Sequence, residues 1–437
     1  MKKIGLVFLI ICSISLLLIS CSQEKKELKT KEKGGVPLEK IAGTWEGSIQ
    51  IPNQPLPIIV QFSNKSGTIS IPAQGVQNYP LTEVNLEAEG ITFTMDIQKQ
   101  HIAFYGKVGD EKITGTFKQN GQSFPFELMK EEDVAAEDSG DNVQIERQEG
   151  LMYGQLELPS GEGPFPVMII LAGSGPTDKD GNSTLLPGKN NSLKMLAEDL
   201  AAKGIASIRY DKRGIGKNLS LGGNEEDLRF EHYIDDAAAW VQFAKEDKRF
   251  SKVGVIGHSE GSLIGMVAAQ KAEADVFVSI AGAGRPIDEV LTEQLAGQLP
   301  ANLQKESAEI LEKLKKGERV KEVSAELQSL YRSSVQPYMI SWLQYNPQKE
   351  IEKLDCPVLI INGSHDIQVP VSDAERLHEA KEASSLYIVE GMNHILKEAP
   401  EEREGNIATY TNPDLPLAEG LISHIIEFMK NNGILDK

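Results

Sequence analysis

Residues 253–270, VGVIGHSEGSLIGMVAAQ, constrain this chain more than any other stretch. Val253, Val255 and Ile256 form an apolar run. Gly257-His258-Ser259-Glu260-Gly261 bends sharply. Leu263, Ile264, Met266, Val267, Ala268 and Ala269 then continue as a good helix former. The pattern is strand, tight turn, helix, with Gly-x-Ser-x-Gly at the bend. In an elbow of this kind the serine occupies a strained apex and its hydroxyl points outward. Side chains two residues before and after it would collide with the neighbouring strand and helix, so both positions require glycine. The helix N-terminus behind Ser259 favours negative charge. The five-residue motif alone is short and common in Gly-rich loops. Its flanking strand and helix are the context that makes Ser259 a candidate nucleophile, and the rest of the chain must then supply a base, an orienting acid and an oxyanion site.

At 437 residues the chain is too long for one ordinary core and implies two domains. A formal charge of −19 argues against a nucleic-acid partner, whose phosphates would be repelled. The N-terminus reads as a targeting segment. Lys2 and Lys3 precede an apolar stretch, Ile4–Ile19, interrupted by Ser13 and Ser15, as in a signal peptide over residues 1–20. Its ending, Leu18-Ile19-Ser20-Cys21, resembles a bacterial lipobox. That resemblance implies a diacylglyceryl group on Cys21, hence a protein held on the extracytoplasmic side of a lipid membrane. Residues 21–41 are a charged tether. With Cys12 removed and Cys21 lipidated, Cys356 alone remains, so no intrachain disulfide is available; ahead of Pro357 and an apolar run it reads as inert core.

Residues 42–130 carry period-two patterning in about eight short runs, including Ser48–Ile51, Leu56–Phe62, Thr68–Ile71, Leu81–Leu86, Ile91–Met95, Ile102–Val108, Ile113–Phe117 and Phe124–Leu128. Asn120-Gly121 is a hairpin signal. This is expected to be a small all-β, barrel-like domain. Gly43-Thr44-Trp45-Glu46-Gly47 resembles the opening of lipocalin-like barrels. No chemical constellation falls here; His101, among polar neighbours, reads as an exposed strand-end residue. The domain has three open roles: binding a lipid or glycan, dimerising, or spacing the rest of the chain from a membrane. The acidic stretch 131–142 is a linker.

From residue 143 to 437 strands and helices alternate. After a leading hairpin come an apolar strand at Val167–Leu171, a helix over 193–203, a strand at Ala206–Tyr210, a helix over 233–245, the elbow, and strands at Val276–Ile280, Val358–Asn362 and Leu386–Val389. Helices near 372–382 and 417–431 complete the series. Such alternation implies an α/β domain with a mainly parallel sheet, and its chemistry gathers at the carboxyl ends of the strands. The helical, charge-rich insertion over about 288–347 is expected to form a cap.

Two further motifs sit at strand ends. Asn362-Gly363-Ser364-His365-Asp366 follows one buried strand, and Gly391-Met392-Asn393-His394 follows the next. A serine hydroxyl is a poor nucleophile until a base takes its proton. Neutral imidazole does this near pH 7, and a carboxylate fixes its tautomer and stabilises the imidazolium. Ser259, His394 and Asp366 are therefore the candidate catalytic residues. Asp373 is an alternative acid but falls inside the following helix. His365 is adjacent to Asp366 and points elsewhere; His258 reads as packing; His232, His378 and His424 read as surface or interface residues on helices. An oxyanion site needs two convergent backbone N–H groups. Glu260 supplies one. The loop Ala172-Gly173-Ser174-Gly175-Pro176 supplies the other, from Ser174 or else Gly173. Without a Gly-Lys-Ser/Thr ending that loop is not a phosphate cradle. Cysteine and histidine spacings offer no zinc pattern, and the chemistry calls for neither metal nor cofactor.

In these motifs, and in the order Ser259, Asp366, His394, the second domain resembles the α/β-hydrolase esterases. It is nearest the branch that also holds serine aminopeptidase-like and lysophospholipase-like hydrolases. Asp211-Lys212-Arg213-Gly214-Ile215-Gly216 resembles that branch's D-x-R-G-x-G loop, a structural loop beside the site. LAGSGPTDKDGN (171–182) and NIATYTNPDLPL (406–417) resemble a bacterial carboxylesterase subgroup with an extra N-terminal domain. Ala172 departs from the histidine many relatives carry there, and Asn218 from a frequent serine. The resemblance implies an α/β-hydrolase fold with a helical cap and hydrolysis of a small-molecule carboxylic ester through an acyl-enzyme. A serine aminopeptidase on the same fold and a non-catalytic surface binding protein are the alternative readings.

Overall fold

The computed structural model describes residues 41–51, 56–63, 66–71, 76–86, 90–97, 100–109, 111–130, 141–183 and 188–436. Expectations for the signal segment, Cys21, the tether to residue 40 and linker residues 131–140 lie outside the described residues. The chain divides into two compact units, one within Met1–Glu137 together with Ser324–Ser329, the other within Asp138–Val323 and Leu330–Lys437.

The first unit is a nine-stranded antiparallel meander. Its strands are β1 (Gly43–Ile49), β2 (Leu56–Phe62), β3 (Gly67–Ile71), β4 (Val76–Pro80), β5 (Glu83–Leu86), β6 (Gly90–Ile97), β7 (Gln100–Val108), β8 (Lys112–Gln119) and β9 (Gln122–Lys130). The hydrogen-bonding order is β4-β3-β2-β1-β9-β8-β7-β6-β5. The two strands at the ends of this order, β4 and β5, are consecutive in the chain and separated by Leu81 and Thr82. So short a connection between opposite edges forces the sheet to curl into a half-barrel. The Tyr79 hydroxyl donates to Asp96 O across the gap at 2.5 Å. Inward positions fill the curl. Phe93 stacks on Phe104 with ring centroids 4.5 Å apart, and Phe62 and Phe126 meet Phe93 edge-on. Trp45, Val60, Ile69 and Ile113 are fully buried around them. Nine strands replace the expected eight because β4, VQNYP, is polar and ends in proline and so lacks alternation. His101 is exposed beside Asp96, as its polar neighbours suggest.

The second unit is an eight-stranded sheet. After β10 (Asp141–Arg147) and β11 (Gly150–Glu157), a hairpin, come β12 (Phe165–Leu171), β13 (Ala206–Tyr210), β14 (Phe250–His258), β15 (Val276–Ile280), β16 (Val358–Gly363) and β17 (Ser385–Val389), in the order β10-β11-β13-β12-β14-β15-β16-β17. The pairs from β13 onward in that order are parallel. Continuous apolar strands serve two faces. Met168, Ile170, Ile256 and Val278 join the core made with α1 (Ser192–Ala202), through Leu193, Leu196 and Leu200, and with α11 (Leu421–Asn431), through Ile425 and Phe428. On the alternate positions, Leu171, Val255 and Phe277 lie against Gly265 of α3 (Glu260–Lys271), which follows α2 (Phe230–Glu246). The region between β15 and β16 holds α4 (Ile287–Ala296), α5 (Ala301–Lys315), α6 (Gln328–Tyr331), α7 (Gln336–Trp342) and α8 (Pro347–Glu352). After β16 come α9 (Val371–Ala380) and, in the tail, α10 (Arg403–Ala408). The D-x-R-G loop after β13 is tied to α2: Asp236, fully buried, accepts from both Arg213 (2.8 Å) and Arg147 (2.9 Å). Asn218, also buried, bonds Tyr153 and Asp211 backbone. Cys356 is half-buried rather than core; burial pushes its thiol up to about 11, so it is protonated at neutral pH.

Candidate active site

β14 ends at His258 and α3 begins at Glu260, so Ser259 alone makes the turn. Its φ of 56° and ψ of −122° lie outside the regions an L residue normally occupies. The neighbouring glycines make this turn possible. A Cβ at Gly257 would stand 2.2 Å from Gly261 O, and one at Gly261 would stand 2.6 Å from Leu171 O. Ser259 N–H donates to Ile280 O at the end of β15 (3.0 Å), which pins the apex to the sheet.

His394 and Asp366 follow the carboxyl ends of β17 and β16. His394 Nε2 lies 3.1 Å from Ser259 Oγ, and its Nδ1 lies 2.8 Å from Asp366 Oδ2. An ionised carboxylate only accepts, so Nδ1 carries the proton and the Nε2 lone pair faces the serine hydroxyl. Asp366 is oriented by two amides, Gln368 N–H (2.8 Å) and Val369 N–H (2.9 Å), both donating to Oδ1. Its side chain is fully buried and that of His394 nearly so. The structure thus brings Ser259, His394 and Asp366 into one hydrogen-bonded line.

Glu260 begins α3, so its N–H has no acceptor inside the helix. Gly173 lies against the elbow, where a Cβ would stand 3.1 Å from Ser259 Cβ. Among the described residues no backbone or side-chain acceptor takes the N–H of Glu260, Ser174 or Gly173. Asp373 is elsewhere: both its oxygens are held by Arg285 (2.7 and 2.9 Å), and Oδ1 also accepts from Gly284 N–H. His365 Nδ1 bonds Ala399 O (2.6 Å). His232 caps α2, His378 bonds Ser384, and His424 stacks on Tyr387, with ring centroids 4.3 Å apart.

Sequence reasoning missed several residues around this line. His258 does more than pack: its Nε2 lies 2.7 Å from His394 O. A carbonyl only accepts, so Nε2 carries the proton. Burial, with the adjacent His394 second, pulls its pKa down to about 4, which keeps the ring neutral. Asn393 and Asn406 join the loops after β16 and β17. Asn393 Nδ2 donates to Thr409 Oγ1 (2.8 Å) and Asn406 Oδ1 (3.3 Å), while Asn406 Nδ2 donates to His365 O (2.8 Å). The tail motif NIATYT therefore braces the loops that carry Asp366 and His394. Lys212 and Tyr338 also close on the elbow, through Glu260. Contacts between residues 13 to 136 apart leave no local pattern to read.

A family model described as serine aminopeptidase, S33, matches residues 189–400. Esterase EstD of Thermotoga maritima is 30% identical over 322 residues, covering 72% of this chain and 73% of its own. Among solved structures, Est1E from Butyrivibrio proteoclasticus with ferulic acid bound aligns at a TM-score of 0.44 and 18% identity, over 67% of this chain and all of its own. A Pyrococcus furiosus esterase aligns at 0.43 and 18%, over 67% of this chain and 91% of its own.

Proposed function

The chain belongs to the α/β-hydrolase esterases and is a carboxylic ester hydrolase, and from that premise we propose that it works through an acyl-enzyme formed on Ser259. His394 Nε2 takes the Ser259 proton as Oγ attacks the ester carbonyl. Asp366 holds the imidazole tautomer and stabilises the imidazolium. The carbonyl oxygen, now an oxyanion, accepts from Glu260 N–H and from Ser174 N–H. His394 returns the proton to the leaving alcohol. Water, activated by the same imidazole, then attacks the acyl carbon and releases the acid. The observation that carries this reading is the line of two hydrogen bonds, 2.8 and 3.1 Å, from Asp366 through His394 to Ser259. Ser259→Ala is expected to lower kcat on p-nitrophenyl acyl esters by at least about 10⁴-fold, and a fluorophosphonate should label Ser259 in the wild type. Undiminished hydrolysis by the variant would sink the mechanism.

The aminopeptidase reading has one observation behind it, the description of the matching family model. An aminopeptidase needs a free carboxylate to hold the substrate amine. The acid next to the nucleophile, Glu260, is already engaged by Lys212 and Tyr338, which favours esters. Dominant hydrolysis of aminoacyl p-nitroanilides over p-nitrophenyl esters would reverse the choice. The helical segment from α4 to α8 serves as the cap in this reading, with Tyr338 of α7 its contact to the elbow. The lipobox-like sequence supports a further part of this reading, an enzyme outside the cytoplasm anchored through Cys21.

A further inference from the structure

Behind the elbow lies a cluster that the proton-transfer line does not use. Lys212, from the loop after β13, is 5% exposed, and Glu260 and Tyr338 are each 8% exposed. Lys212 Nζ donates to Gly173 O at 2.5 Å and sits 3.5 Å from Glu260 Oε2. The Tyr338 hydroxyl donates to the other oxygen, Oε1. The Tyr233 ring lies beneath the ammonium, its centroid 5.4 Å from Nζ.

Two physical consequences meet here. Gly173 C=O and Ser174 N–H belong to one trans peptide and point in opposite directions. A lysine that holds the carbonyl therefore fixes which way the N–H faces, in a segment lying against Ser259. The second consequence is electrostatic. Glu260 follows the nucleophile directly, and an uncompensated carboxylate there would oppose the negative charge that develops on the carbonyl oxygen. We propose that Lys212 is a positioning residue of the oxyanion site, clamping the Gly173–Ser174 peptide and balancing Glu260, whose second oxygen Tyr338 fixes. Burial pulls the lysine pKa below its ordinary value while the Glu260 carboxylate pulls it back up. Tyr338 stays a donor, since burial and the same carboxylate hold its phenol protonated.

The proposal rests on the acyl-enzyme reading, and its test separates the two. kcat and KM on p-nitrophenyl butyrate are measured for Ser259→Ala, Lys212→Met and Tyr338→Phe, with inhibition by an alkyl boronic acid, whose tetrahedral adduct on Ser259 mimics the oxyanion. Removing one oxyanion donor outright costs about 10²–10³ in kcat. Misaiming one is expected to cost Lys212→Met about 10- to 100-fold in kcat, with KM within about 3-fold and boronate affinity falling in parallel. Tyr338→Phe, which removes only a hydroxyl, is expected to show the same pattern at about 3- to 10-fold. A folded Lys212→Met with wild-type kcat and boronate affinity, or a loss confined to KM, overturns the proposal. Should Lys212→Met fail to fold, Tyr338→Phe decides, and unchanged kcat and boronate affinity overturn it. Activity surviving in Ser259→Ala would instead remove the underlying mechanism.

Discussion

At the scale of single residues, the site depends on side chains that keep a proton in one place. His258 is the clearest. Its Nε2–H donates to His394 O, and burial brings its folded pKa to about 4, below the ordinary 6.5. The unfolded chain therefore binds more protons between these values, and stability falls as pH drops from about 6.5 to about 4. The integrated effect is on the order of 3 kcal/mol. His258→Asn lacks this titration. The stability gap between wild type and variant, measured by urea unfolding, should be widest at pH 7 and narrow by that order at pH 4. A gap independent of pH would show that the ring is not held neutral. The residues of the hydrogen-bonded line, Ser259, His394 and Asp366, were legible because each follows an apolar strand, where parallel sheets gather candidate chemistry. His258 was visible too, but an x position inside a motif says nothing of where its ring points. Lys212 and Tyr338 were invisible as a pair: what joins them is a fold contact at Glu260, and neither has a sequence neighbour that shares it.

At the scale of elements, the tail does structural work near the chemistry. Asn406, the first residue of the tail motif, is fully buried and joins the loop after β16 to the loop after β17. Replacing it with alanine orphans His365 O and one Asn393 donor. Each buried unsatisfied group costs about 1–3 kcal/mol. Asn406→Ala is expected to lower unfolding stability by about 2–3 kcal/mol at an unchanged denaturant slope, and to lower kcat as His394 and Asp366 lose their shared brace. An unchanged urea midpoint would refute this. The same scale explains what strand reading could and could not find. β12, FPVMIIL, is a continuous apolar run, and β15 and β16 are nearly so; these announce themselves. β4 is held by its place between β3 and the turn into β5, and its sequence, polar and ending in Pro80, carries none of that information.

At the scale of the whole molecule, two separate cores account for the length of the chain: the phenylalanine cluster of the meander and the two faces of the mixed sheet. The alternation of strands and helices made the second legible. Period-two runs made the first legible as all-β, and its curl follows from the two-residue step between β4 and β5. The proposed placement at a membrane rests on Cys21. Cys21→Ala is expected to move the enzyme from the membrane fraction to the soluble fraction of the envelope and to abolish labelling by a palmitate analogue. Retention of the variant in membranes would rule out the lipid anchor.

The pairing of β1 with β9 has a consequence for any tether. Trp45 stands opposite Lys130, so the chain leaves the first unit beside the point where it entered. Stretched out, residues 45–130 would run on the order of 300 Å, at about 3.4 Å each. Folded, they carry the chain forward by about one strand spacing, roughly 5 Å. Along the path from an anchor to the catalytic unit, this stretch therefore adds bulk and almost no reach.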